Sequence, residues 1–450
     1  MHDLRRQALE SGKTVSRKAR SRVVSGANSK SNSALNSPAQ SRAASRNPSR
    51  HGSDEDDYLS DGTAWSTNSI EDILNSDDAD VPADAWKAEL HNRVEQIVDR
   101  KRSSTEGRAE SLNAYAHILM ARFAKDDIES RTAELLPSIL RSIKAETSER
   151  ETVTALRALA VTIVTLDSDD LYDSAADLLR RTISNSESTQ VKIGAIHALG
   201  TAAFFGGTSE EELEDNMAFF LDIIESDGLS IDAHDEGSVV IAALEEWSLL
   251  ATAHDDLEEA TETAMEAFVE QLESADAGVQ GAAGEAIALL YEKSYTPLED
   301  DEEPEPASDH DHDSDDEPRG EQKLVKRYTV YRRQDQLLHT LDALANASSR
   351  RISKKDRKTL HSTFADIRNS VEKPTRGPKY STAIDQETGR VYGGGRMKVK
   401  INRSCEVRID RWWKLQRLNA LRRVLQAGFT HHFDENEAVS RCLPFSMSGR

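Results

Sequence analysis

The sequence predicts an all-α protein of stacked helical hairpins that ends in a small, mostly helical basic module. Two observations carry this reading. In the stretch from Val279 to Glu292, the residues Val279, Ala283, Ala286, Leu289 and Leu290 recur at helical spacing and mark a buried face. Gly281 and Gly284 each cost about 1 kcal/mol against Ala inside a helix. With Ala282, Ala283 and Ala286 they predict a neighbouring backbone packed close against this face. The second observation is repetition. Segments starting at Val153, Val191 and Val239 show the same progression from Val through Ala to Leu, each behind a first helix of its own. The leading valines are 38, 48 and 40 residues apart, near the ~40–47 residue period of HEAT and armadillo arrays. One such hairpin cannot bury its apolar side alone, so a right-handed, HEAT/armadillo-like α-α superhelix follows.

Taken in order, residues 1–82 are rich in Ser, Asn, Arg and then Asp, and poor in large apolar side chains. Such a composition cannot offset the entropy of ordering, so a disordered N-terminal tail is expected. Its Ser-Arg pairs, such as Ser16-Arg17 and Ser45-Arg46, resemble basophilic kinase sites. The repeat domain spans residues 83–297. Its first unit runs from Trp86 to Phe123, and Glu134 to Ile143 opens the next, with Pro137 expected to bend or begin that helix. Asp170 to Ile183 and Asn216 to Glu225 supply first helices, and the loop Ser226 to Gly237 absorbs the longest spacing. His197 and Trp247 fall on or beside apolar faces and read as core.

Residues 298–322 form an acidic, proline-containing linker with the run Asp309-His-Asp-His-Asp313, read as solvated rather than as a metal site. Residues 323–450 are the basic C-terminal domain. Within it, Leu337 to Ala345 and Thr359 to Val371 are amphipathic helices flanking the basic turn Arg350 to Lys358. Met397 to Ile401 and Glu406 to Asp410 alternate as a hairpin does. Arg411 to Ala427 is a final amphipathic helix, with Gly428 placed as a left-handed terminator.

Charge is segregated along the chain. The formal net charge is −23, yet residues 299–322 hold 13 Asp/Glu against one Arg, and residues 323–423 hold 26 Lys/Arg against 9 Asp/Glu. An acidic scaffold carries a basic module, which suits a phosphate-rich partner. Arg411, Lys414, Arg417, Arg422 and Arg423 are the candidate phosphate contacts, with Trp413 as a stacking surface. Arg350, Arg351, Lys354 and Lys355 are a second basic cluster, readable as a partner contact or a nuclear address. Trp412 is expected in the core.

Other chemistry is not signalled. The sequence has no Walker loop, no GxGxxG behind a strand, no HExxH and no GxSxG, so no enzyme, cofactor, small-molecule substrate or metal is expected. No run of 18 apolar residues exists, so no membrane partner is expected. Cys405 and Cys442 are the only cysteines and form no CxxC pair, which suits a cytoplasmic or nuclear compartment.

Several motifs together resemble the interferon-related developmental regulator family. Trp247 to Thr252 and Ala282 to Glu292 are similar to the end of its helical-repeat domain. Leu338 to Leu344 and Phe364 to Glu372 resemble the segment that follows, and Ile409 to Trp412, Leu421 to Gly428 and His431 to Asn436 its C-terminal domain. The resemblance implies a non-enzymatic regulator. Its partner is then a ribosome or structured RNA in the control of translation, or alternatively a nuclear protein complex held on the concave face of the array by a transcriptional co-regulator.

Overall fold

A computed structural model describes residues 84–298, 324–346, 354–380, 397–403, 405–444 and 446–447. The expected tail, most of the acidic linker, and Arg350, Arg351 and Gly393 to Gly395 lie outside the described residues.

Five hairpins form the array. They pair α1 (Ala85–Val98) with α2 (Thr105–Ala121), α3 (Thr132–Ala145) with α4 (Glu149–Leu166), α5 (Leu171–Asn185) with α6 (Thr189–Phe205), α7 (Glu210–Glu225) with α8 (Gly237–Ala251), and α9 (Glu258–Gln271) with α10 (Ala277–Lys293). The starts of the second helices are written in the sequence. Ser104, Ser148, Ser188 and Asp276 each accept a backbone N–H of the first turn of α2, α4, α6 and α10, respectively. Ser209 and Glu212 close a full capping box on α7. Pro137 lies inside α3, which begins five residues earlier.

Successive second helices stack on one another, α2 on α4, α4 on α6, α6 on α8 and α8 on α10. Val279, Ala283, Ala286, Leu289 and Leu290 are all buried, as are Trp247 and the apolar residues of α4 and α6 around most of their circumference. A helix apolar on all sides is covered on all sides. The first helices cover one side of this layer.

The array continues past the acidic stretch. β1 (Tyr295–Pro297) pairs antiparallel with β2 (Leu324–Lys326), Thr296 opposite Val325, and so joins the two ends of the intervening segment. Beyond it α11 (Gln334–Ala345) and α12 (Lys354–Glu372) form a sixth hairpin, and α12 stacks on α10 as each second helix stacks on the last. Gly284 belongs to this contact. A Cβ there would lie 2.7 Å from the Ile367 Cδ1 of α12, whereas one at Gly281 would meet nothing within 4 Å. The expected close backbone is therefore absent, and a side chain occupies the space at Gly284 alone.

The predicted hairpin is present, β3 (Met397–Lys400) against β4 (Cys405–Ile409), and β5 (Ser446–Met447) adds a third strand to β4. The last helices are α13 (Trp412–Leu425), α14 (Phe429–Glu435) and α15 (Glu437–Cys442). Gly428 is not a left-handed terminator. Its φ is −74°, and the positive φ falls on Gln426. Gly428 is instead a close approach, since a Cβ would lie 1.7 Å from the carbonyl oxygen of Met120 at the end of α2.

Ala283 is fully buried between helices. Ala283→Asp is expected to cost more than about 3 kcal/mol, because a charge without a partner enters that interface. A thermal melt should show a large drop in Tm, and a melt within a degree or two of the parent would contradict the assigned face.

Candidate functional site

The uncovered side of the second helices is filled by the chain itself. α13 packs across α10, α8, α4 and α2, and α14 packs on α2. Leu418, Leu421, Leu425, Phe429 and Phe433 are buried in this interface, and Leu415 packs against it. The second-helix face of the array is therefore covered by α13 and α14.

Polar anchors fix the position. Trp412 N–H donates to Glu292 Oε2 at 2.8 Å and Trp413 N–H to Glu292 Oε1 at 3.0 Å. Glu292 of α10 thus caps α13 from another element, where the N-cap residue Arg411 makes no side-chain cap of its own. Burial pushes the Glu292 carboxyl up to about 7, against the pull of those two backbone donors and of Arg411. Two turns earlier, burial and the nearby Glu245 push Glu285 to about 7, while Gln416 Nε2 donates to it at 3.2 Å. Trp412 is core, as expected, and its Nε1–H donates to Ser370 Oγ at 2.7 Å.

Two of the arginines expected to face phosphate, Arg417 and Arg423, turn inward. Arg423 Nη1 donates to Glu245 Oε2 at 2.9 Å, and its Nη2 to Glu246 Oε1. Glu246 is 1% exposed, and His197 Nδ1 lies 2.8 Å from the same oxygen. His197 thus joins an ionic cluster rather than plain core packing. A Cβ at Gly200 would lie 2.0 Å from Glu246 Oε2, so glycine makes room for the carboxylate between α6 and α8. Burial opposes the Arg423 charge, but Glu245 and Glu246 outweigh it and hold the guanidinium above its usual range. Arg417 donates to Thr252 Oγ1 at 2.9 Å, to Thr252 O at 2.8 Å and to Cys442 O at 3.2 Å, and its guanidinium stacks on Phe204 and Trp413. Lys414 pairs with Asp410 at 2.7 Å. Arg422 also has an interaction partner. Lys354 and Lys355 begin α12.

The tail of the chain reaches the first two hairpins. His432 Nε2 lies 2.7 Å from Leu119 O at the end of α2, Asn436 Nδ2 donates to Val164 O near the end of α4 at 2.8 Å, and Arg441 pairs with Asp167. Burial lowers the His432 pKa, and because a carbonyl oxygen can only accept, Nε2–H is the donor to Leu119 O.

Two features remain open to a partner. One is a cleft of about 660 Å³ between the end of α10 and the start of α13, lined by Arg411, Trp413 and Arg417 together with Thr252, Lys293 and Leu324. The other is the outward face of the small sheet, where Lys398, Lys400 and Arg408 alternate with the buried Val399, Val407 and Ile409, and the turn adds exposed Arg403. Lys398 pairs with Glu406 at 2.7 Å. The sequence reading found the hairpin but overlooked this face, although the alternation of cation and apolar residue was its signal.

A family model for the interferon-related developmental regulators matches residues 58–372, which end at the last residue of α12. The chain belongs to this family. An uncharacterised protein of Schizosaccharomyces pombe is 27% identical over 367 residues, covering 80% of this chain and 75% of its own length. Interferon-related developmental regulator 2 of Mus musculus is 23% identical, with 84% and 78% covered, and interferon-related developmental regulator 1 of Sus scrofa is 22% identical, with 74% and 66% covered. The matched region of the family model contains all six hairpins, while α13 to α15 lie beyond it.

Arg423→Ala is expected to cost about 3–5 kcal/mol by leaving Glu246 buried without its cation, seen as a lower Tm; Arg423→Lys should recover part of the loss. Glu285 and Glu292 generate a pH dependence of known sign. Their folded pKa values are raised, so the folded state binds more protons than the unfolded state between about 4.3 and about 7. That contribution is full below the unfolded value and lost as pH rises through about 7. His432 acts oppositely, because its lowered pKa costs stability below about pH 6.5. In melts from pH 6 to 8, Glu285→Gln should flatten the decline in Tm with rising pH.

Proposed function

We propose that the protein is a non-enzymatic regulator that contacts structured RNA, on the ribosome, through the outward face of its three-stranded sheet, and so modulates translation. The observation that carries this reading is the cluster of exposed Lys398, Lys400, Arg403 and Arg408 on the sheet, in a chain whose repeat array over residues 84–298 holds far more Asp/Glu than Lys/Arg. A chain of net charge −23 repels phosphate, so a sequence-independent contact needs a local basic face of this kind. Trp413, at the mouth of the cleft, offers a stacking surface for an unpaired base, already flanked by Arg417 and Lys414.

Membership in the family supports a regulatory role, and the RNA contact is the finer step. The alternative is a nuclear co-regulator that binds a protein complex. α13 and α14 cover the second-helix face of the array, so that partner would have to use the outer, first-helix face or displace the C-terminal helices. No described helix is long and apolar enough to cross a membrane. A cytoplasmic or nuclear location fits both readings.

Ribosome co-sedimentation over a salt series tests the proposal. If about four phosphates are neutralised, log K falls against log salt with a slope of about −3 to −4. Replacing Lys398, Lys400, Arg403 and Arg408 by Gln should remove most of that slope while the melt of the array stays unchanged. Unaltered ribosome binding in this variant would shift the reading to the protein-binding co-regulator.

A further inference from the structure

Outside the interface just described, one group of side chains has the composition of a metal site. Glu210 and Glu214 lie one turn apart at the start of α7, and His254 lies in the turn after α8, which the α7–α8 hairpin brings alongside. One ligand atom from each of the three lies within 4.8 Å of the others.

The histidine is what separates this group from an ordinary acidic surface. His254 is 8% exposed, and its Nε2 is buried without a hydrogen-bond partner. A buried ring nitrogen left unpaired costs about 1–3 kcal/mol, and native proteins rarely leave one without a water or an ion. Two carboxylates at i and i+4 also repel each other. A cation between them and the imidazole relieves both penalties at once.

We infer that Glu210, Glu214 and His254 bind one divalent transition-metal ion, with zinc the best match. One imidazole nitrogen and two carboxylate oxygens suit zinc, while magnesium and calcium require more oxygen ligands than three side chains supply. Ligands on a tetrahedral zinc stand about 3.4 Å apart at bond lengths of ~2.1 Å, so the side chains, now within 4.8 Å of one another, have to close by at most about 1.4 Å. The two glutamates are exposed and free to rotate, which makes that closure inexpensive. The ion fastens the start of α7 to the turn after α8. That turn also holds two anchors of the C-terminal half: Thr252 accepts Arg417, and the backbone carbonyl of His254 accepts Lys293 Nζ.

The test is metal titration of the full, untagged chain. A second source must be removed first, because the run Asp309 to Asp313 carries two histidines of its own. In a His310→Ser/His312→Ser background, zinc should bind at one site per chain by calorimetry and raise the Tm. Cobalt at the same site should show the visible absorption of a tetrahedral complex, and magnesium should do neither. His254→Ala, and separately Glu210→Gln/Glu214→Gln, should weaken zinc binding by about tenfold or more. The glutamine pair lies on the surface, so it remains informative if His254→Ala does not fold. Loss of all zinc binding on removing His310 and His312, or parent-like affinity in the glutamine pair, overturns the assignment.

Discussion

The ends of the second helices are the constraint on which the structure depends. Each such helix leaves its last carbonyls without intrahelical partners, and a buried end without partners is costly. In α2, α4 and α8 the C-terminal segment supplies them. His432 serves Leu119, Asn436 serves Val164, and Arg417 serves Thr252. Near the end of α6 Arg417 stacks on the ring of Phe204, and α10 reverses the relation by offering Glu292 to the N-terminus of α13. One segment thus closes the same face of five hairpins. Cations and amide donors at helix C-termini, and a carboxylate at a helix N-terminus, also match the sign of the helix dipoles.

The basic C-terminal module owes much of its charge to this role. Arg423 lies against Glu245 and Glu246, and Arg417 against the Thr252 hydroxyl and the Thr252 and Cys442 carbonyls, so both guanidinium groups are engaged inside the molecule. A buried ion pair of this kind adds little net stability over apolar packing, but breaking it is costly. Its effect is on register. With Glu245, Glu246 and Glu285 on adjacent helices, α13 has one seating in which Arg423 and Gln416 both find partners. Arg417 and Arg423 of α13 thus hold the fold, while the exposed cations of the small sheet face outward.

The acidic segment between hairpins five and six is an insertion in the array rather than its end. Because β1 pairs with β2, the chain leaves and re-enters the fold at one place, and the sixth hairpin stacks as though the insertion were absent. A long insertion between two paired strands costs little, since the entropy of closing a loop grows only slowly with its length.

What the sequence alone determined was local and periodic. The repeat of Val, Ala and Leu faces gave the hairpins, and the alternation around Val399 and Val407 gave the β-hairpin, because both depend on neighbours within a few residues. What covers the second-helix face was decided only in three dimensions. Arg417 and Thr252 are 165 residues apart, and His432 and Leu119 are 313 apart, and no spacing rule reaches so far. The same holds for charge. An arginine on a helix reads as a solvent-facing cation until the partner helix is placed, and only the packing of α13 against α8 turned Arg423 from a candidate phosphate contact into an anchor. Gly428 shows the same limit at one residue: the sequence said glycine, and the nearby Met120 carbonyl, not a left-handed turn, was the reason.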